Sequence, residues 1–296
     1  MKILLLIAYF ILTFHLNSQP LVNSTWLYEN LCKKNIKIIE VGSSYNSFLV
    51  EHIKCSQYTN FYKDGWRNNN KGIAMQMPEP LVIKNILEKM GINEFDHVIL
   101  YPKKITDYYS MAETTAIYFT FKYLGHQKIS ILDGGYPDFK KKYNLFTEDG
   151  EFEIDYFSNY NYKIDETILA TTDDIIENNQ GHFQLVDARE NDFYLGINKL
   201  RGFKGFGTLE KALNVPSKWL LESRSLNFNR INLIKEIFNY SEVDIEKNSI
   251  FFCYSGLESS INWFVYYELL QKKASKLYEG SLFEWMENKK ILHKKL

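Results

Sequence analysis

Three side chains in this 296-residue chain carry sulfur that could act as a nucleophile: Cys32, Cys55 and Cys253. An odd number of cysteines cannot be fully paired within one chain. Cys253 has the setting that such chemistry needs. Ser249–Cys253 (SIFFC) reads as a buried strand, Tyr254 to Glu258 as a short loop, and a helix is predicted to start near Ser259. Loop amides and a helix N-terminus would then point at the sulfur and cradle an anion. That cradle is expected to depress the thiol pKa and hold a thiolate at neutral pH. A thiolate can attack the outer sulfur of a donor, become a persulfide and hand that sulfur to a thiol or to cyanide. Gly256 suits so tight a loop, because glycine takes positive φ without strain. The plain alternative for Cys253 is a small buried hydrophobe. Cys32, in a segment read as helical, and Cys55, which follows EHIK with no glycine-rich loop, take that structural reading.

The neighbours of Cys253 refine the choice. Ser255 and Glu258 have the S-x-x-E spacing of a capping box, so Glu258 is expected to cap the helix, with tuning of the acceptor as the other reading. A carboxylate beside a thiolate would raise its pKa and repel an anionic donor. A cysteine phosphatase needs an arginine six residues after its cysteine to grip phosphate through two hydrogen bonds. That position is Ser259, which argues against phosphate chemistry. No Cys/His cluster has zinc spacing, so neither a metal nor a cofactor is expected.

The elements that position the loop follow from short apolar runs with little alternation, the mark of strands buried on both faces of a parallel sheet. They are Lys37–Val41, His97–Tyr101 and Lys128–Leu132 in the first half, and Phe183–Ala188, Ser249–Cys253 and Lys276–Tyr278 in the second. Helical spacing falls between them, at Pro80–Met90, Ala112–Leu124 and Ser259–Leu270, the last two apolar nearly all round. Strand and helix alternate, which predicts an α/β fold in each half. The halves also repeat: Ile38 and Leu185 open comparable strands about 147 residues apart, and Leu132-Asp133-Gly134-Gly135 answers Tyr278-Glu279-Gly280-Ser281 at nearly the same spacing. A period this long implies a duplicated domain. The expected division is a first domain over 20–140, a polar tyrosine-rich linker over 141–165 and a second domain over 166–294.

Composition narrows the partners. Hydrophobic residues make up 45% and charged residues 24%, enough for two cores. The formal net charge of -1 gives no reason to expect a nucleic-acid partner. Ile3–Phe14 is an unbroken apolar run behind Lys2, which fits the core of a signal peptide over 1–18 and is too short for a typical membrane span. Entry into the secretory pathway is therefore expected, with a secreted or lumenal product and no membrane span after cleavage. Two glycosylation sequons, Asn23-Ser24-Thr25 and Asn239-Tyr240-Ser241, agree weakly with that route.

Several motifs occur together in one order. In the second half these are LVDAREND, LNVP at Leu213–Pro216, CYSGLESS and YEGSLFEW; in the first half they are EHIK, HVILY and YLGHQKISILDGGYPDF. By them the chain resembles the tandem rhodanese-domain sulfurtransferases of the thiosulfate and 3-mercaptopyruvate type. The resemblance implies two rhodanese-like α/β domains, each a mainly parallel sheet flanked by helices, the second catalytic through Cys253 with Ser255 and Gly256. It also implies a small anionic sulfur donor, a thiol or cyanide acceptor, and an active pocket between the domains with Cys253 at its base. Tyr254 and Glu258 flank the nucleophile as substrate-binding candidates, and the family usually has threonine where Glu258 stands. Arg189 matches the first family arginine, for which a structural ion pair is the expected role. The family's donor-binding arginine falls at Phe193, with Arg201 or Lys199 as the nearest cations further along. Thr208 stands in place of the usual histidine. The partner domain has Met75 and Tyr62 or Asn60 where mercaptopyruvate enzymes supply histidine and aspartate, and Pro102 where a nucleophile would sit. These departures leave a second class open, a catalytically degenerate secreted rhodanese module that binds a partner or senses redox state.

Overall fold

The computed structural model describes residues 18–70, 72–104, 108–152, 154, 157–178, 181–288 and 290–296. The expected signal segment, Ile3–Phe14, lies outside them. The apolar runs form two separate five-stranded sheets. In the first, the strands run in the order Leu21–Val22, Ile129–Leu132, His97–Pro102, Ile36–Val41 and Ser56–Thr59. In the second, the order is Leu169–Ala170, Lys276–Tyr278, Ser249–Phe252, Gln184–Asp187 and Leu213–Asn214. Every neighbouring pair in both sheets is parallel. Chain order maps onto spatial order identically in the two sheets, so the repeat seen in the sequence is a repeat of topology.

Central strands are apolar because helices cover them on both sides: all four residues of Ile129–Leu132 and of Ser249–Phe252 are buried. The outer strands escape the sequence reading. Leu21–Val22, Leu169–Ala170 and Leu213–Asn214 are two residues long, and Ser56–Thr59 (SQYT) is mostly polar. Their extended form is set by the neighbour each pairs with rather than by any local period.

Two helices that read as apolar all round are the ones on which the domains meet. Tyr108–Tyr123 leaves the first sheet, and Ser259–Phe264 follows the Cys253 loop and continues as a π-helical turn over Val265–Leu269. A helix apolar on every side must be covered on every side. Here each packs on its own sheet and on the other helix, with Phe119 edge-on to Trp263 at 4.8 Å and Tyr118 edge-on to Phe264 at 4.8 Å. Small residues bring the backbones close: Thr115 Oγ1 and Ser260 Oγ share a 2.6 Å hydrogen bond, and Ser260 Oγ also donates to the Ala112 carbonyl at 3.2 Å. One apolar cluster therefore runs through both domains, joining Ile39 and Leu100 to Phe251 and Ile261.

The segment expected as a linker, 141–165, is bound to the first domain. A helix runs through to Tyr143, Thr147–Glu148 pairs antiparallel with His52–Ile53, and Tyr160 is buried against His126. Polar composition suggested a spacer, but Tyr143 and Tyr160 within it are packing residues. A second correction concerns the two cysteines read as separate structural residues. Cys32 and Cys55 form a disulfide with Cα atoms 5.4 Å apart. Cys32 is not helical: the first helix ends at Glu29, and both cysteines sit at left-handed φ, 56° and 63°. The bridge ties the connection after the first helix to the turn before Ser56–Thr59.

Candidate active site

Cys253 is the first residue beyond the strand Ser249–Phe252, and the helix beginning at Ser259 lies six residues on. The turn between them is shaped by two contacts. Gly256 has φ +78°, and a Cβ there would stand 2.5 Å from the Glu279 carbonyl oxygen, so only glycine fits. Ser281 accepts the Cys253 N–H at 3.1 Å and donates to the Tyr278 carbonyl at 2.7 Å, which locks the sulfur-bearing residue to the neighbouring strand. The Ser255 and Ser259 amides are directed at the sulfur, and the Ser259 hydroxyl donates to it at 3.5 Å. The expected cradle is present in outline.

The expected effect on the thiol is not. Burial pushes the Cys253 thiol above its ordinary range, the Glu258 carboxylate adds to the rise, and the Ser259 and Ser255 donors only partly offset them. Cys253 is 1% exposed; the helix Tyr108–Tyr123 of the first domain packs on the helix that follows the turn, and Tyr108 reaches Glu258 within it. A local strand–loop–helix reading cannot include that packing. The sulfur is thus at the base of the junction between the domains and closed off from solvent.

Glu258 is also corrected. It makes no side-chain cap; instead it accepts a hydrogen bond from the Tyr108 hydroxyl of the other domain. Burial raises its pKa, opposed by the Tyr108 bond, and it feels the charges of Asp187, Arg189 and Glu190. Ser255 is buried beside it, with its amide serving the sulfur.

Arg189 forms a buried pair with Asp187. Its Nε lies 3.0 Å and its Nη2 2.6 Å from the two carboxylate oxygens, and Nη2 also donates to the Gly207 carbonyl at 2.8 Å. Its guanidinium lies 4.6 Å from the centre of the Tyr254 ring. Burial opposes the charge, and the charge and hydrogen bonds of Asp187, with Tyr254, outweigh it, leaving the Arg189 pKa raised. Thr208, where the family has histidine, donates to the same Asp187 carboxylate at 2.7 Å. Arg189 is therefore fully engaged in holding the end of the strand Gln184–Asp187. Tyr254 is packed away: its hydroxyl accepts the Leu200 N–H at 3.0 Å, and Phe193 and Phe203 stand edge-on to its ring. Phe193 is thus part of an aromatic cluster under the loop. Lys199 and Arg201 are exposed on the neighbouring turn, with Lys199 Nζ 4.7 Å from the Phe206 ring. Among the described residues, no hydrogen bond or ion pair ties either one to Cys253 or Glu258.

In the first domain, Asn60 is buried and bonds to the Ser43 carbonyl and the Tyr58 hydroxyl, Tyr62 is half exposed, and Met75 is half-buried against the core. One residue that sequence reasoning missed is Arg67. Its Nε lies 2.7 Å from Glu279 of the second domain, with both side chains buried, and its Nη atoms bond to Trp66, Thr120 and Ala116. Glu279 also accepts the Met77 N–H at 3.2 Å. Since Glu279 is the residue against which Gly256 turns, Arg67 positions the Cys253 loop from the other domain. The only sequence signal was Glu279 in the repeat motif where the first half has Asp133.

A duplicated five-stranded parallel sheet with a cysteine turn on the second copy defines a tandem rhodanese architecture. The rhodanese-like domain family matches residues 23–142. The sulfur carrier protein TtuD of Thermus thermophilus is 24% identical over 90% of this chain and 93% of its own length. A putative thiosulfate sulfurtransferase of Saccharopolyspora erythraea is 28% identical over 90% of this chain and 93% of its own length. The 3-mercaptopyruvate sulfotransferase SseA of Escherichia coli superposes with a TM-score of 0.75 at 21% identity, over 89% of this chain and 99% of that one, which establishes the shared fold. The chain is thus similar over nine-tenths of its length to a sulfur carrier protein and to a putative thiosulfate sulfurtransferase, and it shares the rhodanese fold. No helix among the described residues is long and apolar enough to cross a membrane.

Proposed function

We propose that the protein moves a sulfane sulfur from a thiosulfate- or 3-mercaptopyruvate-type donor to a thiol or cyanide through a persulfide on Cys253. The observation that carries the reading is the Cys253 turn, where one sulfur receives two backbone amides and the Ser259 hydroxyl. Those donors stabilise a thiolate once burial is relieved. With thiosulfate, the Cys253 thiolate attacks the outer sulfur. The new S–S bond forms as the old one breaks, sulfite leaves with the electron pair, and a persulfide anion remains. An acceptor thiolate then attacks the outer sulfur of that persulfide and Cys253 departs as thiolate. With 3-mercaptopyruvate the C–S bond breaks instead, and the departing enolate takes up the sulfhydryl proton to give pyruvate. Gly256 holds the turn and Ser255 supplies an amide. Incubation of fully reduced protein with either donor is expected to add one sulfur by intact mass, and Cys253→Ser to abolish the addition. No added sulfur with any donor would sink the reading.

One observation favours a second reading. The thiol is 1% exposed and raised in pKa by burial and by Glu258, as suits a degenerate module that binds a partner; for the redox-sensing alternative the thiol would first have to become accessible. Absence of donor-dependent persulfide across several donors, in a stably folded and fully reduced protein, is its signature. We also infer entry into the secretory pathway. Ile3–Phe14 and the Cys32–Cys55 disulfide support it, since such bridges persist in oxidising compartments. Recovery of intact Met1 on a cytosolic product would refute it.

A further inference from the structure

Two glycosylation sequons lie outside the sulfur chemistry, and the fold treats them differently. The first, Asn23-Ser24-Thr25, is absorbed by local structure. Asn23 Oδ1 accepts the Trp26 N–H at 2.9 Å as the cap of the first helix. The Ser24 hydroxyl donates to Asp138 at 2.6 Å, and the Thr25 hydroxyl accepts from Tyr143 at 3.1 Å. All three side chains already serve the first domain, and the sequon follows closely on the expected leader, 1–18.

The second sequon, Asn239-Tyr240-Ser241, closes the helix Ile231–Tyr240 of the second domain. That helix is amphipathic, and its buried residues Ile234 and Phe238 hold it to the sheet. Phe238 stands edge-on to Phe251 at 6.5 Å and to Tyr266 at 5.1 Å. Asn239 and Tyr240 are exposed, Tyr240 by 79%. Among the described residues no hydrogen bond engages the Asn239 side-chain amide. Its backbone carbonyl accepts the Glu242 N–H at 3.0 Å, and Glu242 takes a left-handed φ of 60°, so the chain turns as it leaves the helix. Asn239 also lines an open cavity of about 500 Å³ whose polar wall is Lys235, Glu236, Glu242 and Asp244. Sugar hydroxyls both donate and accept, so these carboxylates and the ammonium can serve the inner residues of a carbohydrate.

The place in the sheet is also permissive. The Asp244 N–H donates to Gln184 Oε1 at 2.9 Å, and Gln184 Nε2 donates to the Asp244 carbonyl at 2.9 Å. Gln184 opens the strand Gln184–Asp187, so the sequon lies at the edge where the strands of the second sheet begin. Cys253 lies beyond the other edge, where Ser249–Phe252 ends. A carbohydrate on Asn239 therefore leaves the domain junction free.

We propose that Asn239 carries an N-linked oligosaccharide. Its Nδ2 attacks the anomeric carbon of a lipid-pyrophosphate-linked oligosaccharide. The N–C bond forms as the C–O bond to pyrophosphate breaks, the lipid pyrophosphate leaves with the electron pair, and Nδ2 gives up one proton. The Ser241 hydroxyl completes the acceptor sequence. The proposal rests on entry into the secretory pathway, the route that the Cys32–Cys55 bridge also supports.

The test uses the full chain made in eukaryotic secretory cells, once with its own leader and once with residues 1–18 replaced by the cleavable signal sequence of a secreted protein. Recovered protein is treated with peptide N-glycosidase in heavy-oxygen water and read by peptide mass, where an occupied asparagine becomes a heavy aspartate. With the grafted leader, Asn239 is expected to be occupied. The accompanying electrophoretic shift is expected to be lost in Asn239→Gln and in Ser241→Ala and kept in Ser241→Thr, which preserves the hydroxyl. A product that has entered the pathway, shown by loss of its leader, but has a bare Asn239 overturns the proposal, as does sugar confined to Asn23. Occupied Asn239 with the grafted leader, together with intact Met1 when the chain keeps its own, sustains the site and defeats only the secretory reading.

Discussion

Replacing Arg189 by methionine separates two roles that the sequence left joined, donor ligand and structural ion. The change removes three contacts to Asp187, one to the Gly207 carbonyl and the cation over Tyr254. Asp187 is 0% exposed and keeps only the Thr208 hydroxyl and the Arg189 backbone N–H as donors to its carboxylate. Stranding one charge of a buried pair costs about 3–5 kcal/mol, and the two surviving donors put this case near 3. Methionine fills much of the vacated volume, so a large cavity does not add to the cost. At about 2–4 °C per kcal/mol for a unit of this size, the melting temperature is expected to fall by about 6–12 °C. Thermal unfolding followed by circular dichroism measures the fall. Donor kinetics measured well below both transitions are expected to show an unchanged half-saturating concentration, because the guanidinium points at Asp187 and not at a ligand. A variant as stable as wild type but unable to bind donor would refute the reasoning and return Arg189 to the binding site.

Three other outcomes follow from the same geometry. Glu258→Gln removes the carboxylate charge that adds to the rise in the Cys253 pKa, so the thiol pKa is expected to drop; the pH profile of iodoacetamide alkylation should move to lower pH, and a profile that stays put contradicts the assignment. Opening the Cys32–Cys55 bridge, a sequence separation of 23, is expected to cost about 3 kcal/mol of stability, read as a lower denaturant midpoint for Cys32→Ser/Cys55→Ser. His126 is held neutral: Nε2 faces the Asp96 and Lys128 carbonyls and so carries the proton, while Nδ1 accepts from Tyr160, and burial lowers its pKa from 6.5 to about 4. Its unfolded form takes up a proton first, so its contribution is complete above pH 6.5 and declines as pH falls toward 4, by about 2 kcal/mol at pH 5; a His126→Gln variant should lose that slope between pH 6.5 and 4.

What could be read from the sequence was whatever is local. The Ser249–Phe252 strand, the glycine-dependent turn at Gly256 and the helix from Ser259 are each written in a few neighbouring residues, and the repeat of Leu132–Gly135 at Tyr278–Ser281 gave the duplication. What could not be read depends on the other domain. The helix Tyr108–Tyr123 packs on the helix after Cys253, and burial at this junction, with the Glu258 carboxylate, reverses the expected direction of the thiol pKa. Glu258 has capping-box spacing, but Tyr108 offers it a hydroxyl and the cap is not made. Arg67 and Glu279 are far apart in sequence and meet only because the domains pack. The disulfide was hidden for a different reason: its cysteines sit at left-handed φ in turns whose proximity depends on the packing of the whole first sheet.

These departures from the family pattern act together. Phe193 takes away a cation under the loop, Glu258 brings a carboxylate to it, and Arg189 is spent on Asp187, so the space around the sulfur holds no unpaired positive group among the described residues. Thiosulfate, a compact dianion, would have to approach a buried thiol through that field. The bond that Glu258 accepts from Tyr108 spans the domain junction beside the sulfur, so the burial of Cys253 and the carboxylate that raises its pKa meet at one contact. A movement that opened this contact would relieve the burial that keeps the thiol protonated, and the Ser255 and Ser259 donors would then hold a thiolate.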